Sequence, residues 1–330
     1  MLPKPVSYPA FRAKTAIRDR KVLDCLRSQA RITNFGLLLL SLLTFTSLLY
    51  NLGQWITVSS SPPDSILSTL SRDSVITGFL NHLIIVPGHA IWNGASADSR
   101  LDETFWTLES YQRSSGRLEA FYQHIAQAQT FSVGIQWVGY LYFLDYSSPP
   151  SLTHFNRGQT RSGTTTTEAE SYLRLAIQSN LIPSDFVRTT TENYALDSYQ
   201  NLLFSIARFH EYTGVYPERI TVVGYEMKRR RFTDLHRTAI RWPKHQFEYI
   251  GIDTRDAKEN NIALEGEKLS GYTPYSKDLY GCHSELLRKR RARNHSLRFH
   301  PYHTYSPELT SLMEWCPADN TLYGGILPWS

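Results

Sequence analysis

The sequence predicts an α/β fold with a mostly parallel sheet, preceded by one transmembrane helix. Two observations carry this prediction. After residue 77, short apolar runs alternate with stretches of helical periodicity, which is typical of parallel strands joined by crossover helices. Before that point, residues 32–63 carry no charged side chain, and Phe35–Ile56 forms a largely apolar run of 22 residues. The chain of 330 residues is long enough for one large domain with accessory segments.

The apolar run Phe35–Ile56 predicts a membrane anchor, because a helix of that length spans about 33 Å at ~1.5 Å per residue. It is apolar on every face, unlike most core helices, and it exceeds the ~7–15-residue apolar core of a cleaved signal peptide. Eight of the 35 Lys and Arg lie in the first 31 residues, whereas Arg72 is the only cation between the run and residue 100. The positive-inside rule then predicts a cytosolic N-terminus and a luminal or extracytoplasmic domain. A mitochondrial membrane is the alternative, because an Arg-rich tail also resembles a presequence.

The chain divides into a basic cytosolic tail (1–34), the anchor (35–56), a linker (57–77) that contains "SSSPPDS", and an α/β domain (78–330) extended from about residue 254. The sequon Asn294-His-Ser296 is compatible with a luminal domain. The three cysteines make neither a metal cage nor a disulfide framework. Cys282 and Cys316 could form one disulfide, and their spacing leaves the pairing open.

Five apolar runs are predicted strands: "HLIIVPG", "SLTHF" (Ser151–Phe155), "FVRTT", "RITVVG" and "FEYIGID" (Phe247–Asp253). Three helices are predicted between them. The first, "TEAESYLRLAIQ", opens with the capping-box spacing Thr165-x-x-Glu168. The second carries an apolar stripe and ends at Gly214. The third is "KRRRFTDLHRTAI".

Four cations, Lys228–Arg231, come directly after the strand run "ITVV" and its "GYEM" turn. On a helix, Lys228 and Arg231 border the apolar stripe, while Arg230 points nearly opposite, towards solvent. Ligands of open parallel sheets bind at the carboxyl ends of the strands, where helix N-termini favour anions. The placement predicts an anion site more readily than a nuclear-import signal or a diffuse basic patch.

Several function classes are disfavoured. The net charge of +5 is mild, and the basic clusters lack the aromatic interleaving of a nucleic-acid module, so no nucleic-acid partner is expected. The chain has no GxGxxG after the first strand, no GxxxxGK[ST] and no GxSxG, which disfavours ordinary dinucleotide enzymes, P-loop NTPases and α/β-hydrolases. No spacing of His, Cys and Asp indicates a closed metal site.

From about His82 onward, and most closely between Gly158 and Asp253, the sequence resembles the fungal branch of the SanA/YdcF/ElyC-like family, which carries domain of unknown function 218. The stretch "ALDSYQNLLFSIARFHEYTGVYPERITVVG" carries the resemblance. It implies a Rossmann-like three-layer α/β/α sandwich with a polar pocket at the strand ends. Bacterial relatives are linked to upkeep of the cell envelope, and the resemblance makes S-adenosylmethionine a cofactor to consider. Residues 130–148 look like an insertion or a faulty gene model.

The resemblance also implies a set of site residues. Three are candidates for acid–base chemistry: His89, Glu168 and Glu192. Ten are candidates for ligand binding: Gly88, Gly158, Gln159, Thr160, Arg161, Asp197, Ser198, Asn201, Lys228 and Arg231. The loop "NRGQTR" departs from the family's Ser-Gly-Gly-Gln-Thr-Arg, because Asn156 and Arg157 replace Ser and Gly. The same residues have structural alternatives: a loop histidine held by backbone, a helix cap, or a loop anchored to a carboxylate.

Two functions are expected from these residues. One is an enzyme that hydrolyses or transfers a group on an anionic, nucleotide- or phosphate-containing small molecule, with a carboxylate and His89 as acid and base. The other is a membrane-anchored protein that binds such a molecule, or S-adenosylmethionine, without catalysis. The sequence leaves both open.

Overall fold

A five-stranded parallel sheet organises the α/β domain, as the sequence predicts. The computed structural model describes residues 33–52, 80–133, 135–138, 141–144, 151–183 and 188–330. The described strands are β1 (His82–Pro87), β2 (Ile91–Trp92), β3 (Trp106–Thr107), β4 (Ile135–Val138), β5 (Leu141–Leu144), β6 (Ser151–Asn156), β7 (Thr189–Glu192), β8 (Arg219–Gly224) and β9 (Phe247–Gly251). The main sheet has the order β7-β6-β1-β8-β9, and all its neighbouring strands pair in parallel.

Helices connect and cover these strands. The described α-helices are α1 (Thr33–Leu52), α2 (Ser115–Val133), α3 (Glu168–Gln178), α4 (Ser198–Thr213), α5 (Arg237–Ala239), α6 (Ala257–Glu267), α7 (Thr273–Lys277), α8 (Ser284–Arg293), α9 (Tyr302–Tyr305) and α10 (Thr310–Met313). Single 3-10 turns lie at Ala97–Leu101, Glu103–Phe105, Ser110–Gln112, Glu226–Lys228, Lys244–Gln246 and Pro307–Leu309. The segments Arg231–His236 and Lys268–Tyr272 are π-helical.

The central strand β1 shows why the domain has three layers. Its alternate residues Leu83 and Ile85 belong to one buried apolar cluster, which includes residues of α4 and of the C-terminal segment. Ile84 and Val86 belong to a second cluster, which includes residues of α2 and α3. Side chains of successive strand residues point to opposite faces, so both faces of the sheet are covered by helices.

Two boundaries differ from the sequence prediction. Helix α3 begins at Glu168 with Thr167 as its N-cap, and the capping box pairs Thr167 with Glu170 rather than Thr165 with Glu168. Thr167 is the N-cap because its side chain accepts a hydrogen bond from the backbone N–H of Glu170 at 3.0 Å. The side chain of Glu168 is therefore not needed for capping and turns into the interior. The strand predicted at "FVRTT" is described as Thr189–Glu192, further along the chain, and residues 186 and 187 lie outside the described residues.

The helical run after β8 is not the regular helix that the sequence predicts. It starts as a 3-10 turn at Glu226–Lys228, becomes π-helical over Arg231–His236 and ends as a short α-helix at Arg237–Ala239. By contrast, α4 is a regular helix that ends where the sequence predicts, although it begins at Ser198, inside the predicted run Tyr194–Gly214. Asp197 caps its N-terminus, and it stops at Gly214, whose φ of 83° is the left-handed conformation that glycine adopts without steric cost.

The segment beyond β9 completes one side of the domain. Buried side chains from it, among them Tyr302, Leu309 and Leu327, pack into the same cluster as α4. A disulfide joins Cys282 to Cys316, the pairing that spacing alone left open. The predicted insertion continues α2 as far as Val133 and then forms the antiparallel pair β4–β5, a small sheet of its own.

The N-terminal part of the chain, Met1–Ser60, is a separate unit. Its described helix, α1, has 20 residues and a mean hydropathy of 1.8, long and apolar enough to cross a membrane. Its side chains are all exposed. The remainder of the predicted anchor, residues 53–56, and the predicted linker lie outside the described residues.

Candidate functional site

A cavity of about 840 Å³ opens at the carboxyl ends of the central strands. Residues just beyond β1, β6 and β8 form its floor, including His89, Arg157 and Lys228. Helices α6 and α8 supply part of the remaining wall. This is the edge at which open parallel sheets bind ligands, and the sequence predicts a site there because Lys228 and Arg231 follow a strand run.

The wall of the cavity is strongly cationic. Eight basic side chains line it: Arg113, Arg117, Arg157, Arg161, Lys228, Arg231, Lys289 and Arg293. Four carboxylates line it: Glu109, Asp197, Glu259 and Glu267. The formal excess is therefore four positive charges, and apolar groups such as Phe121 and Ile262 occupy other parts of the wall.

Most of the basic groups have carboxylate partners. Arg117 pairs with Glu259 at 2.5 Å and Arg231 with Glu267 at 2.9 Å, and Arg161 contacts Glu109. Two differ: within the described part of the chain, neither Lys228 nor Arg293 has a carboxylate oxygen within 4.0 Å. Arg293 instead donates to the backbone oxygen of Leu196 at 2.9 Å. Among the described residues, these two are the basic groups of the lining that have no ion-pair partner at that distance.

His89 and Lys228 form a pair on the floor. The Lys228 Nζ lies 3.1 Å from the His89 Nδ1. Burial, and then the charge of Lys228, hold the pKa of His89 well below its usual 6.5, so the imidazole is neutral at pH 7. Burial and the nearby Arg231 lower the pKa of Lys228 to about 7. The ring of Tyr225 packs beside both, 5.1 Å from the His89 ring between centroids.

Glu168 lies beneath the floor and does not line the cavity. It is almost fully buried, ion-paired with Arg157 at 3.2 Å and bonded to the hydroxyl of Thr160 at 3.0 Å. Gly88 is needed here: a Cβ at its position would lie 2.6 Å from the Glu168 Cβ. The predicted acid–base residue therefore positions Arg157, which itself faces the cavity.

Glu192 also lies outside the cavity lining. Its carboxylate accepts from the backbone N–H groups of Tyr194 and Ala195 at 2.8 and 3.1 Å and from the Tyr302 hydroxyl at 2.9 Å. Burial raises its pKa to about 7. Glu192 is fully buried and holds the loop after β7, so a direct role on a ligand in this cavity does not fit its position.

The start of α4 contributes three predicted residues to the lining: Asp197, Ser198 and Asn201. Asp197 caps the helix and pairs with Arg290 at 2.7 Å, a contact that docks α8 onto α4. Ser198 Oγ is 2.8 Å from His236 Nε2. Asp197 and Ser198 thus already have protein partners.

Gly158 and Gln159 do not line the cavity. Gly158 donates to the Ala195 oxygen at 2.8 Å, and a Cβ there would meet backbone atoms at 3.0 Å. Gln159 donates to the Thr164 oxygen at 2.9 Å. Both residues shape the loop after β6.

Of the thirteen predicted site residues, eight line the cavity: His89, Thr160, Arg161, Asp197, Ser198, Asn201, Lys228 and Arg231.

The sequence reasoning missed several lining residues. Arg157 departs from the family loop and is not among the candidates, yet an arginine directly after a strand run is a usable signal. Arg293 belongs to "RKRRAR" (Arg288–Arg293), one of the basic clusters for which no nucleic-acid partner is expected. Glu267 and Arg117 lie on segments whose docking no local pattern indicates. In the same run as Lys228, Arg230 is exposed, as predicted.

Comparisons with known proteins leave the function open. The chain is similar to the uncharacterized protein YOR238W of Saccharomyces cerevisiae, with 29% identity over 272 residues that cover 67% of this chain and 86% of the yeast protein. No family model matches the chain, and no solved structure matches it. What the fold and the site define is an α/β protein with a cationic cavity at the carboxyl edge of a parallel sheet.

Proposed function

We propose that this protein is membrane-anchored and binds an anionic small molecule that contains phosphate, such as a nucleotide or a sugar phosphate, in the cationic cavity. The observation that supports this most directly is the set of eight basic side chains on the wall, which outnumber the four carboxylates of the lining. Arg293, which has no carboxylate partner within 4.0 Å in the described part of the chain, lines the cavity and would contact the phosphate. A parallel sheet with a polar cavity at its carboxyl edge is also the architecture that membership of the SanA/YdcF/ElyC-like group implies.

The cationic wall favours a phosphate ligand over S-adenosylmethionine. S-adenosylmethionine carries a sulfonium and an ammonium against a single carboxylate, so its net charge is positive. Arg157, Arg231 and Arg293 would repel it, whereas a pyrophosphate oxygen could accept charge-assisted hydrogen bonds from them. Aromatic groups on the wall, Tyr225 and Phe121 among them, offer a surface for a base or sugar.

Substituting Arg293 tests the anion site. In the full-length chain in detergent micelles, we expect inorganic pyrophosphate to raise the melting temperature. Arg293→Met should weaken pyrophosphate binding roughly 10- to 100-fold, the effect of losing one charge-assisted contact. Arg291→Met is the matched control, because Arg291 lies on the same helix but is exposed and outside the lining. Equal losses in both variants, or no shift with the unsubstituted protein, would contradict the proposal.

We further propose that α1 is a single membrane span with the N-terminus in the cytosol and the α/β domain in the lumen or outside the cell. The charge asymmetry around α1 supports this orientation. The disulfide Cys282–Cys316 supports it independently, because disulfides persist in oxidising compartments. A mitochondrial membrane stays the alternative location.

Protease protection tests the orientation. Protease added to sealed microsomes should remove only the basic tail and leave the domain intact until detergent is added. Asn294→Gln should abolish a glycan-dependent mobility shift, because the sequon Asn294-His-Ser296 would be in the lumen. Digestion of the whole domain without detergent would show that the orientation is reversed.

A further inference from the structure

Lys228 differs from the other cations of the cavity in its surroundings. Its Nζ lies 3.1 Å from the neutral His89 and 5.6 Å from the centre of the Tyr225 ring. The charged groups that face it are Arg231, Glu267, Arg157 and Glu168. Each of these two carboxylates is already ion-paired with one of these two arginines. The ammonium form of Lys228 is therefore partly buried without a carboxylate of its own.

Burial beside other cations makes a lysine amine reactive. Burial and the neighbouring Arg231 lower the pKa of Lys228 to about 7, so a large fraction of the side chain is neutral amine near neutral pH. A neutral amine has a lone pair and is a nucleophile, whereas an ammonium group is not. Desolvation and an adjacent cation are the two means by which proteins activate lysines for attack on carbonyl groups.

We propose that Lys228 is a nucleophile that forms an imine with an anionic carbonyl compound, a phosphorylated or carboxylated aldehyde or ketone, held by the arginines of the cavity. The inference rests on the proposed anion site and names the class of its ligand. Three groups that surround Lys228 serve the reaction: Arg157 and Arg231 face the same cavity as its amine, and His89 is within proton-transfer distance.

The reaction conserves atoms and involves no oxidation. The Lys228 nitrogen attacks the carbonyl carbon, a C–N bond forms, and the carbonyl electron pair moves to oxygen. His89 takes a proton from nitrogen at its Nδ1, in the tautomer that carries its own proton on Nε2. That proton is delivered to the oxygen, which gives the carbinolamine hydroxyl. Through the same nitrogen of His89, the second N–H proton is then delivered to this hydroxyl while the nitrogen lone pair forms the C=N bond, the C–O bond breaks, and water leaves with both protons of the amine. The product is the imine, and one water is released for each carbonyl bound.

Reductive trapping with pyridoxal 5′-phosphate tests the proposal, because this probe combines an aldehyde with a phosphate. The full-length chain in detergent is incubated with the probe and then with borohydride, whose hydride reduces an imine to a stable amine. We expect one adduct per chain, located on Lys228 by peptide mass spectrometry, and a labelling rate with its midpoint near pH 7. Pyridoxal, which lacks the phosphate, should label at least about tenfold more slowly.

Two variants and one competitor complete the experiment. Lys228→Arg should lose the adduct, while Lys289→Arg, which removes the other lysine amine of the lining, should keep it. Pyridoxine 5′-phosphate has no aldehyde and should protect Lys228 from labelling. If pyridoxine 5′-phosphate stabilises the protein but the adducts spread over exposed lysines, the imine is wrong and the anion site stands. If neither phosphate compound binds, both proposals fail.

Discussion

Acidification from about pH 7.5 to about pH 5.5 is expected to lower the free energy of unfolding of the α/β domain by about 5 kcal/mol. The cause is a set of almost fully buried histidines: His82, His89, His124, His154 and His236. Burial, as the largest cause, lowers the pKa of each of them. They are neutral in the folded chain, whereas in the unfolded chain they take up protons below about pH 6.5.

The sign of the effect is set by proton binding. Below about pH 6.5 the unfolded state binds more protons than the folded state, so the contribution of the histidines is complete above that pH and is lost as the pH falls. For His124 the loss extends down to about pH 4, where the folded form also protonates. Glu192 acts in the opposite direction, because its raised pKa of about 7 makes protonation favour the folded state. Because one carboxyl group opposes five imidazoles, acidification still lowers the free energy of unfolding by a large net amount.

Urea unfolding across this pH range measures the effect. His124→Gln keeps a side-chain N–H that can replace the His124 Nε2–H bond to the Ile252 oxygen at 2.8 Å, but it removes one titrating group. The slope of stability against pH should therefore fall by about one proton, or ~1.4 kcal/mol per pH unit. His245→Gln, at an exposed position, should leave the slope unchanged. Superimposable unfolding curves at both pH values would rule out this explanation of acid sensitivity.

Removing Arg157 is expected to cost 3–5 kcal/mol, roughly the penalty for leaving a buried carboxylate without its counter-charge. Glu168 has only 1% of its side chain exposed, and Arg157 and Thr160 are the side chains that contact its carboxylate in the described structure. In Arg157→Met the Thr160 hydroxyl would be the remaining donor. The measurement is the urea midpoint of the full-length chain at neutral pH.

A double variant separates loss of the ion pair from loss of packing. Arg157→Met with Glu168→Gln removes both charges while the amide can still bond to Thr160, so it should recover most of the lost stability. Arg293→Met is the matched control: its guanidinium has no carboxylate partner within 4.0 Å in the described part of the chain, and its loss should cost about 1 kcal/mol. A double variant as unstable as Arg157→Met would mean that packing, not charge, is responsible.

The edge of the sheet that carries the cavity could be predicted because the strand runs, and therefore the positions where they end, are recognisable from local pattern. The runs before Gly88, Arg157 and Tyr225 are apolar and short, and the loops after parallel strands must lie at one edge of the sheet. Lys228 and Arg231 were found in this way. The full set of thirteen candidates is what the family resemblance implies, and eight of them line the cavity.

Side-chain direction could not be predicted in this way. Glu192 lies at a strand end as His89 does, yet it turns to hold the backbone of Tyr194 and Ala195. Arg293 reaches the cavity because α8 docks on α4 through Arg290 and Asp197, a contact between residues 93 positions apart. Such docking depends on three-dimensional packing that no periodicity within α8 reveals.

The π-helical stretch Arg231–His236 makes the length of this segment critical. Each residue of an α-helix advances the chain by about 100°, so deleting one residue there rotates the N-terminal part of the segment against its C-terminal part. Phe232 and Leu235 are buried against the core, while Lys228 and Arg231 face the cavity. A chain with one residue fewer could keep either the buried apolar pair in the core or the basic pair at the cavity, but not both. Across evolution, insertions and deletions at this position would therefore decide whether a homologue has the charged cavity, even where every flanking residue is identical.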